Sequence, residues 1–165
     1  MFQKGDKIVY GQTGVCIVED VVEKALIKNE KKLYYLLKPL FQQNNVIYAP
    51  VHSDKVFMRH VITKEQAEEL ISLIPDIKEQ IGKSDLSPEE YRAELSTHDC
   101  RDLVELTAQI YEKKKTARAL KKKLGFSDEK YMRLAENLLF GELSTALDIP
   151  IESVPDYIEQ KIGDK

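Results

Sequence analysis

The sequence predicts an α+β chain, all-β and then all-α, in which a small antiparallel barrel is followed by a compact helical domain. Short β-branched runs separated by turn residues fill about the first 50 positions, and a helical period of apolar residues begins at Thr63. The 165 residues, 42% of them hydrophobic, suffice for one ordinary domain or two small ones. We therefore predict a sheet domain over residues 1–62 and a helical domain over residues 63–165.

Four runs of residues predict the strands of the sheet domain. They cover residues 7–10, 15–22, 32–38 and 46–49, and the turns between them cover residues 11–14, 28–30 and 42–45. Gly11 and Gly14 can supply positive φ in the first turn, and Pro50 stops the last run. The pattern favours a barrel or a strongly bent sheet that keeps exposed edges unless a partner pairs with them.

The tyrosines of this sheet allow two interpretations. Surface aromatics at Tyr10, Tyr34, Tyr35 and Tyr48 would stack on bases or cage a methylated cation, whereas a barrel this small also needs large core residues. Alternation along the strand directs one of Tyr34 and Tyr35 inward, and we favour the core for this pair.

Capping signals predict where the first two helices begin. Thr63 followed by Gln66 has the form of a capping box, and so has Ser87 followed by Glu90. Pro75 is expected to end or kink the first helix, because proline removes a helical hydrogen bond. These signals predict a helix over residues 63–81 and the start of a second helix at Ser87.

Three further helices are predicted. The longest is expected over residues 99–124, with Gly125 as its C-cap. Ser127 is expected to cap the next helix, which fades near residue 147. A short last helix is expected over residues 156–162.

Charge excludes a protein that coats nucleic acid by bulk attraction, because 25 basic and 28 acidic residues leave a net charge of -3. One basic block nevertheless lies in the helical part, with no acid between its members: Lys113, Lys114, Lys115, Arg118, Lys121, Lys122 and Lys123. Two interpretations stay open. The block is either a solvated helix end whose cations complement the helix dipole, or a patch that contacts phosphate.

Motifs for catalysis or metal binding are weak. His98, Asp99 and Cys100 are consecutive, whereas a catalytic triad needs side chains that converge from separate positions, so this segment is expected to cap a helix. A hydrolase built on it would require these side chains to meet in a pocket. His52 and His60 complete no zinc pattern. We therefore expect no enzyme, no cofactor and no metal site.

The sequence favours a soluble cytoplasmic protein. Its first residues contain no apolar signal segment, and no window reaches the roughly 18 apolar residues of a membrane span. Cys16 and Cys100 are expected to stay reduced, because a chain of this size needs no disulfide framework. We expect no membrane and no small-molecule substrate among its partners.

Several strings of residues occur together in a recognisable combination. In the sheet part they are Phe2-x-x-Gly5-Asp6-x-x-Val9-Tyr10, Gly14-Val15, Tyr34-Tyr35-x-Leu37-Lys38 and Val46-x-x-Ala49-Pro50. In the helical part they are Tyr91-Arg92-Ala93-x-Leu95, Asp102-Leu103-Val104-Glu105-Leu106 and Ala135-Glu136-Asn137-Leu138-Leu139-x-Gly141-Glu142-Leu143. The combination, which extends to about residue 147, resembles the CarD family of bacterial transcription regulators. Its sheet part is also similar to the polymerase-interacting domain of transcription-repair coupling factor.

The resemblance implies a two-domain factor without catalysis. In this family a Tudor-like or SH3-like N-terminal barrel docks on the β subunit of RNA polymerase. The helical domain meets the upstream edge of the promoter bubble and stabilises the open complex. The resemblance therefore implies a transcription regulator whose partners are the polymerase β subunit and promoter DNA. The alternative is an adaptor whose helical domain binds protein and not DNA.

For the polymerase contact we expect an exposed sheet edge to accept a strand from the partner. The predicted strand at residues 46–49 is our choice, with side-chain contacts from the strand and from Lys28. The candidate polymerase-binding residues are Lys28, Val46, Ile47, Tyr48 and Ala49. The family commonly carries an arginine where this chain has Tyr48.

For the DNA contact the resemblance is less complete. Family members place a tryptophan just before the helix that contains Tyr91, and this sequence has no Trp. Leu86 falls near that place, and Glu89 and Glu90 stand where the family is commonly basic. Carboxylates there would repel phosphate. The candidate DNA-binding residues are Leu86, Arg92, Lys113, Lys114, Arg118, Lys121 and Lys122.

Overall fold

The structure, a computed structural model, describes residues 1–42, 45–81 and 87–163. The chain forms two compact units, Met1–Val61 and Ile62–Lys165. Within the described residues the first unit holds a five-stranded antiparallel sheet, and the second holds five α-helices. The predicted fold class, all-β and then all-α, is confirmed.

The strands of the first unit are β1 (Lys7–Tyr10), β2 (Gly14–Ile27), β3 (Glu30–Pro39), β4 (Ile47–Pro50) and β5 (Met58–His60). Their order in the sheet is β4-β3-β2-β1-β5, and every neighbouring pair is antiparallel. A 3₁₀ turn joins β1 to β2. Gly11 has a φ of +46° and Gly14 a φ of +90°, so glycine supplies the positive φ that this turn was predicted to need.

The sheet curls around a small apolar core. Its buried members are Ile8, Cys16, Val18, Tyr35, Leu37 and Ala49. Ile47 of one edge strand and Met58 of the other both pack against this cluster, and a bulge between Val18 and Asp20 lets β2 bend. The two edges therefore share one core, as expected for a small Tudor/SH3-like barrel.

Tyr34 and Tyr35 lie on opposite faces of β3, and both are buried. Tyr35 belongs to the core, and its hydroxyl accepts a hydrogen bond from the Phe2 amide at 3.0 Å. Tyr34 packs edge-on against Tyr48, with 6.5 Å between the ring centroids. The core interpretation is confirmed for Tyr35, while Tyr34 is buried on the other face of the sheet.

The predictions for β2 and β3 were too short, and β5 was not predicted. β2 and β3 pair as far out as Ile27 and Glu30, because main-chain hydrogen bonds hold the outer part of the hairpin without an alternation of buried residues. β5 has only three residues and forms by pairing with β1. A local sequence pattern does not reveal pairing of this kind.

The helices described in the second unit are α1 (Lys64–Ile81), α2 (Pro88–Ser96), α3 (Cys100–Ala119), α4 (Phe126–Leu147) and α5 (Val154–Gly163). They enclose a core whose largest fully buried side chains are Ile71, Ile77, Tyr91, Leu95, Leu106, Ile110 and Leu143. In the described part of the chain, no helix has both the length and the apolar character to cross a membrane.

Both predicted capping boxes are confirmed. Thr63 Oγ1 accepts a hydrogen bond from the Gln66 amide at 3.1 Å, and Gln66 Oε1 accepts one from the Thr63 amide at 2.9 Å. Ser87 and Glu90 form the same reciprocal pair at the start of α2. Local side-chain chemistry therefore fixes where these two helices begin.

α1 continues through Pro75 to Ile81, so the helix predicted over residues 63–81 is confirmed, and Pro75 does not end it. An interior proline costs about 3 kcal/mol in lost hydrogen bonding and steric clash. Ile74 and Ile77, on either side of it, are both buried in the helical core. Their packing offsets the cost of the proline.

α3 ends at Ala119 and not at residue 124 as predicted. Lys121 adopts a left-handed conformation with a φ of +58°. Its amide donates to the Arg118 carbonyl at 3.0 Å, and the Lys122 amide donates to the Ala117 carbonyl at 2.7 Å. These two bonds form a Schellman closure, in which a lysine occupies the position that glycine usually takes.

Gly125 consequently has a different role from the one predicted. It is the N-cap residue of α4 and not the C-cap of α3. Ser127, the predicted cap, lies inside α4. Glycine is common at both ends of helices. Because the Schellman closure has already ended α3, Gly125 lies at the start of α4.

A buried carboxylate holds the beginning of the helical unit. Glu142 is 2% exposed. Its Oε2 accepts a hydrogen bond from the Ile62 amide, and its Oε1 accepts one from the Cys100 thiol, each at 2.9 Å. Because Ile62 precedes α1 and Cys100 begins α3, Glu142 of α4 joins three segments of this unit.

Candidate functional site

β4 is an edge strand of the sheet. On one side it pairs with β3, where Tyr48 lies opposite Leu36, and among the described residues no strand pairs with its other side. Val46, just before β4, is 58% exposed, whereas Ala49 is 1% exposed and lies in the core. The predicted docking strand is therefore an edge strand, but the side chain of Ala49 faces away from any partner.

Alternation of the backbone decides which groups of β4 point outward. The Val51 amide donates to the Leu33 carbonyl at 3.0 Å, so in this antiparallel ladder Ala49 also bonds toward β3. The amide and the carbonyl of Tyr48, between these positions, then face away from β3. Pro50 offers only a carbonyl on that side, because proline has no N–H.

A lysine from β2 holds the side chain of Tyr48. Lys24 Nζ donates to the Tyr48 hydroxyl at 2.8 Å and lies 4.4 Å from the ring centroid. Lys24 was not among the predicted binding residues. β3 lies between the strands of Lys24 and Tyr48, so the contact depends on the register of all three strands. Lys28 lies in the turn between β2 and β3, roughly 20 Å along β3 from Leu36. The structure therefore does not bring Lys28 beside Tyr48.

Exposed apolar side chains border this edge. Leu40 and Phe41 follow β3, and Val46 precedes β4, and each of the three is more than a third exposed. Apolar groups this close together in sequence and beside an open sheet edge are typical of an interaction surface. β4 and its flanks thus offer a partner both main-chain groups and apolar contacts.

A basic cleft lies between α3 and α4, with a volume of about 590 Å³. Its cations are Lys114, Arg118, Lys122, Lys123 and Arg133, its carboxyl groups are Glu129 and Glu136, and its apolar residues are Leu124, Met132 and Phe140. Five cations oppose two carboxyl groups, so the potential of the cleft favours an anion. We call this site the basic cleft.

Three of the predicted DNA-binding residues meet in the basic cleft: Lys114, Arg118 and Lys122. Lys123 and Arg133 also line it, although neither was a candidate. Lys123 belongs to the basic block of the sequence, so its position in that block could have made it a candidate. Arg133 lies on the next helix and joins the cleft only because α3 packs against α4.

Two other candidates have partners within the helical domain. Lys113 Nζ lies 3.5 Å from Asp128 Oδ1 and 2.6 Å from the Tyr91 hydroxyl, so Lys113 braces α2, α3 and α4 instead of facing solvent. Arg92 Nε donates to the Tyr131 hydroxyl at 3.1 Å, and this hydrogen bond raises the pKa of Arg92. Neither side chain is directed to the basic cleft.

The remaining candidates do not join the cleft either. Lys121 is exposed in the left-handed turn after α3 and is not among the residues that line the cleft. Leu86 lies outside the described residues. Glu89 and Glu90 are exposed in the first turn of α2, where carboxylates complement the helix dipole.

Two carboxyl groups of the helical domain hold their protons more strongly than usual. Burial raises the pKa of Glu136, and Lys114 acts against that shift. Burial, followed by the charges of Asp102 and Glu105, raises the pKa of Glu94. One oxygen from each of these last three acids lies within 4.8 Å of the others.

The thiols and the segment around residue 99 have structural positions. Cys16 is unpaired and buried, and burial raises its pKa to about 11. Cys100 is buried against Glu142, to which it donates its hydrogen bond. Asp99 caps α3 by accepting a hydrogen bond from the Arg101 amide at 2.8 Å, which confirms the capping role predicted for this segment.

Comparison with known proteins concerns the first unit. No curated protein matches the chain. Residues 2–62 match the family of the CarD-like/TRCF RID domain, and they contain the whole sheet from β1 to β5, including the β4 edge. This match supports a CarD-like/TRCF RID domain over residues 2–62, where RID denotes an RNA polymerase-interacting domain.

Proposed function

We propose that this protein is a transcription regulator that binds the β subunit of RNA polymerase through its sheet domain. Its helical domain then changes the stability of promoter open complexes. The observation that carries the proposal is the open β4 edge within a domain that matches the CarD-like/TRCF RID family. This is a binding function without catalysis.

In this proposal a strand of the β subunit adds to β4. Main-chain hydrogen bonds to the outward amide and carbonyl of Tyr48 give affinity, and neighbouring side chains give specificity. Val46 is exposed and Ile47 half-buried, so both can contact alternate side chains of the added strand. Because Pro50 lacks an N–H, it limits how far such pairing extends along β4.

The helical domain is proposed to contact promoter DNA through Lys114, Arg118 and Lys122 in the basic cleft. Contacts between cations and phosphates release counterions, so binding to DNA alone is weak and falls as salt rises. Lys113 and Arg92 are not part of this contact in the proposal, since both bond to tyrosines of their own domain.

A second candidate function is an adaptor whose helical domain binds protein and not DNA. The observation that favours it is the acidic start of α2, where Glu89 and Glu90 are exposed. Carboxylates on that surface repel phosphate and attract cationic side chains of a protein. The two functions share the polymerase contact and differ only in what the helical domain binds.

A pull-down with the full chain tests the polymerase contact. We expect the tagged protein to recover core RNA polymerase, and also the purified β subunit, at micromolar concentrations. Recovery of the core enzyme without binding to isolated β would place the contact on another subunit. Recovery of neither would remove the proposal.

The lifetime of open complexes on a ribosomal promoter tests the role of the helical domain. We expect the protein to change that lifetime, and the double variant Lys114→Glu/Arg118→Glu to lose the effect. Lys115→Glu/Lys121→Glu is the matched control, because it changes the charge by the same amount at two positions outside the cleft. A double variant that acts like the wild type would favour the adaptor.

A further inference from the structure

We propose that the basic cleft binds single-stranded DNA, with backbone phosphates on its cations and a base stacked on Phe126. The inference rests on the part of the proposed function that assigns DNA contact to the helical domain. It names the form of the nucleic acid and adds residues that the sequence did not indicate. It does not depend on the polymerase contact.

The cations of the cleft come from both of its walls and from the segment that joins them. Lys114 and Arg118 lie one helical turn apart on α3, the Lys122 amide takes part in the Schellman closure, and Lys123 follows it. Arg133 faces them from α4. A groove with cations along both walls suits an extended anionic chain, because successive phosphates can each meet a cation.

Phe126 supplies an aromatic surface at one end of this groove. Its side chain is 83% exposed at the start of α4. Phe126, Glu129, Arg133 and Phe140 recur at helical spacing, so they share one face of α4, and the last three line the cleft. The exposed ring of Phe126 therefore lies one turn beyond the cleft on the same helix face.

This combination fits a single strand better than a duplex. A duplex keeps its bases paired inside and presents mainly phosphates to a cationic surface. It would leave the ring of Phe126 without a partner, and also the exposed parts of Leu124, Met132 and Phe140, whose other parts pack against the helical core. A single strand brings unpaired bases whose faces stack on aromatic side chains irrespective of sequence. The apolar side of the cleft then has an occupant as well as the cationic side.

The carboxyl groups of the cleft set a limit on affinity. Glu129 and Glu136 line it among the cations, and their charges oppose the approach of phosphate. The same groups disfavour the other anionic surface that basic and apolar side chains can bind, a lipid bilayer. Glu129 lies one turn from Phe126, so insertion of that ring into an anionic bilayer would bring a carboxylate to the headgroups.

Fluorescence anisotropy with the full chain and a labelled oligo-dT tests the proposal. Phe126→Ala is expected to weaken binding by roughly five- to a hundredfold, the range found for one stacked base. Because the side chain is exposed, this substitution should leave the fold intact, and circular dichroism checks that. Glu129→Gln is expected to tighten binding, since it removes a negative charge from the cleft.

A matched pair of charge reversals separates the cleft from bulk attraction. Lys122→Glu and Lys121→Glu make the same change at adjacent positions, but only Lys122 lines the cleft. Direct contact with a phosphate needs a cation inside the cleft, so the two substitutions should differ although their positions are adjacent. We expect Lys122→Glu to weaken binding several-fold and Lys121→Glu to change it little. Equal losses would overturn the proposal.

Two further results would overturn it. One is a duplex that binds as tightly as the single strand of the same length. The other is binding to phosphatidylglycerol vesicles without binding to oligo-dT, which would make the surface a membrane contact. Pull-down of RNA polymerase from the same preparation keeps the two proposals distinguishable. If the protein recovers polymerase but does not bind oligo-dT, only the single-strand proposal is lost. If it binds oligo-dT but does not recover polymerase, only the polymerase contact is lost.

Discussion

Lys24 Nζ donates a hydrogen bond to the hydroxyl of Tyr48 at 2.8 Å and lies 4.4 Å from the centroid of its ring. The two residues belong to β2 and β4, so the contact passes over β3 and ties the edge strand to the long hairpin. It also places an ammonium group over the Tyr48 ring at the open edge. The edge thus has a cation beside it although the strand itself supplies a tyrosine.

Loss of this cation should weaken the polymerase contact. We expect Lys24→Met to reduce affinity for the β subunit by roughly two- to fivefold, which is the scale of one exposed charge contact. The effect should shrink as salt rises. Lys31→Met is the control, since Lys31 is exposed at the hairpin end of β3, away from Tyr48. Binding kinetics on immobilised β measure both variants, and equal losses would contradict a specific role for Lys24.

Glu142 should be a main determinant of the stability of the helical domain. Glu142→Leu leaves the Ile62 amide without its acceptor, and a buried donor without a partner costs about 1–3 kcal/mol. We expect a loss of that size in the free energy of unfolding, measured by urea denaturation. Glu79→Leu also removes one carboxylate, but from an exposed position on α1, and should change little. Equal stability of the two variants would contradict this role.

The lysine in the Schellman closure after α3 should be replaceable with a gain in stability. A non-glycine residue at positive φ is strained, and Lys121 has a φ of +58°. We expect Lys121→Gly to raise the free energy of unfolding by up to about 1 kcal/mol, after the entropy that glycine adds to the unfolded chain. Lys122→Gly, the adjacent control, should lower it. The same urea series measures both, and a less stable Lys121→Gly would contradict the assigned geometry.

The acidic trio should make stability depend on pH. The pKa of Glu94 is raised in the fold by burial and by Asp102 and Glu105. A raised carboxyl pKa favours the protonated form in the native state, so stability falls as pH rises through that pKa. Glu94→Gln should therefore stabilise the protein at neutral pH, by roughly 0.2–0.5 kcal/mol for relief of like charges. This gain in stability should fade as the pH falls through the usual range of glutamate pKa values. A gain that persists in acid would contradict the assigned effect of the acidic trio.

The features predicted correctly from sequence depend on local chemistry. Thr63 and Ser87 begin helices because each caps backbone amides within one turn, and Gly11 and Gly14 turn the chain because they tolerate positive φ. The edge strand at residues 46–49 was also predicted from a local run of β-formers. None of these inferences needed to know which distant residues meet.

The features that sequence did not reveal depend on register and packing. Lys24 reaches Tyr48 only because β3 sets the offset between their strands, and Arg133 reaches the basic cleft only because α4 packs on α3. Lys121 takes the place that glycine usually occupies at a helix end, so the end of α3 was predicted too late. Lys113 was assigned to a surface patch, although Asp128 and Tyr91 bind it.

The affinity of the full chain for the polymerase β subunit in two variants of Tyr48 tests the central claim most directly. Tyr48→Pro and Tyr48→Ala both remove the side chain that Lys24 holds, but only proline also removes the outward amide. The ladder bonds to β3 involve the neighbouring residues, so proline fits this position of an edge strand.

Strand addition at β4 predicts that Tyr48→Pro binds the β subunit at least about tenfold more weakly than Tyr48→Ala, because it loses a main-chain hydrogen bond and blocks the approach of a strand. Circular dichroism and urea denaturation of both variants establish that each is folded. Equal affinities of the two folded variants would contradict docking through the β4 edge.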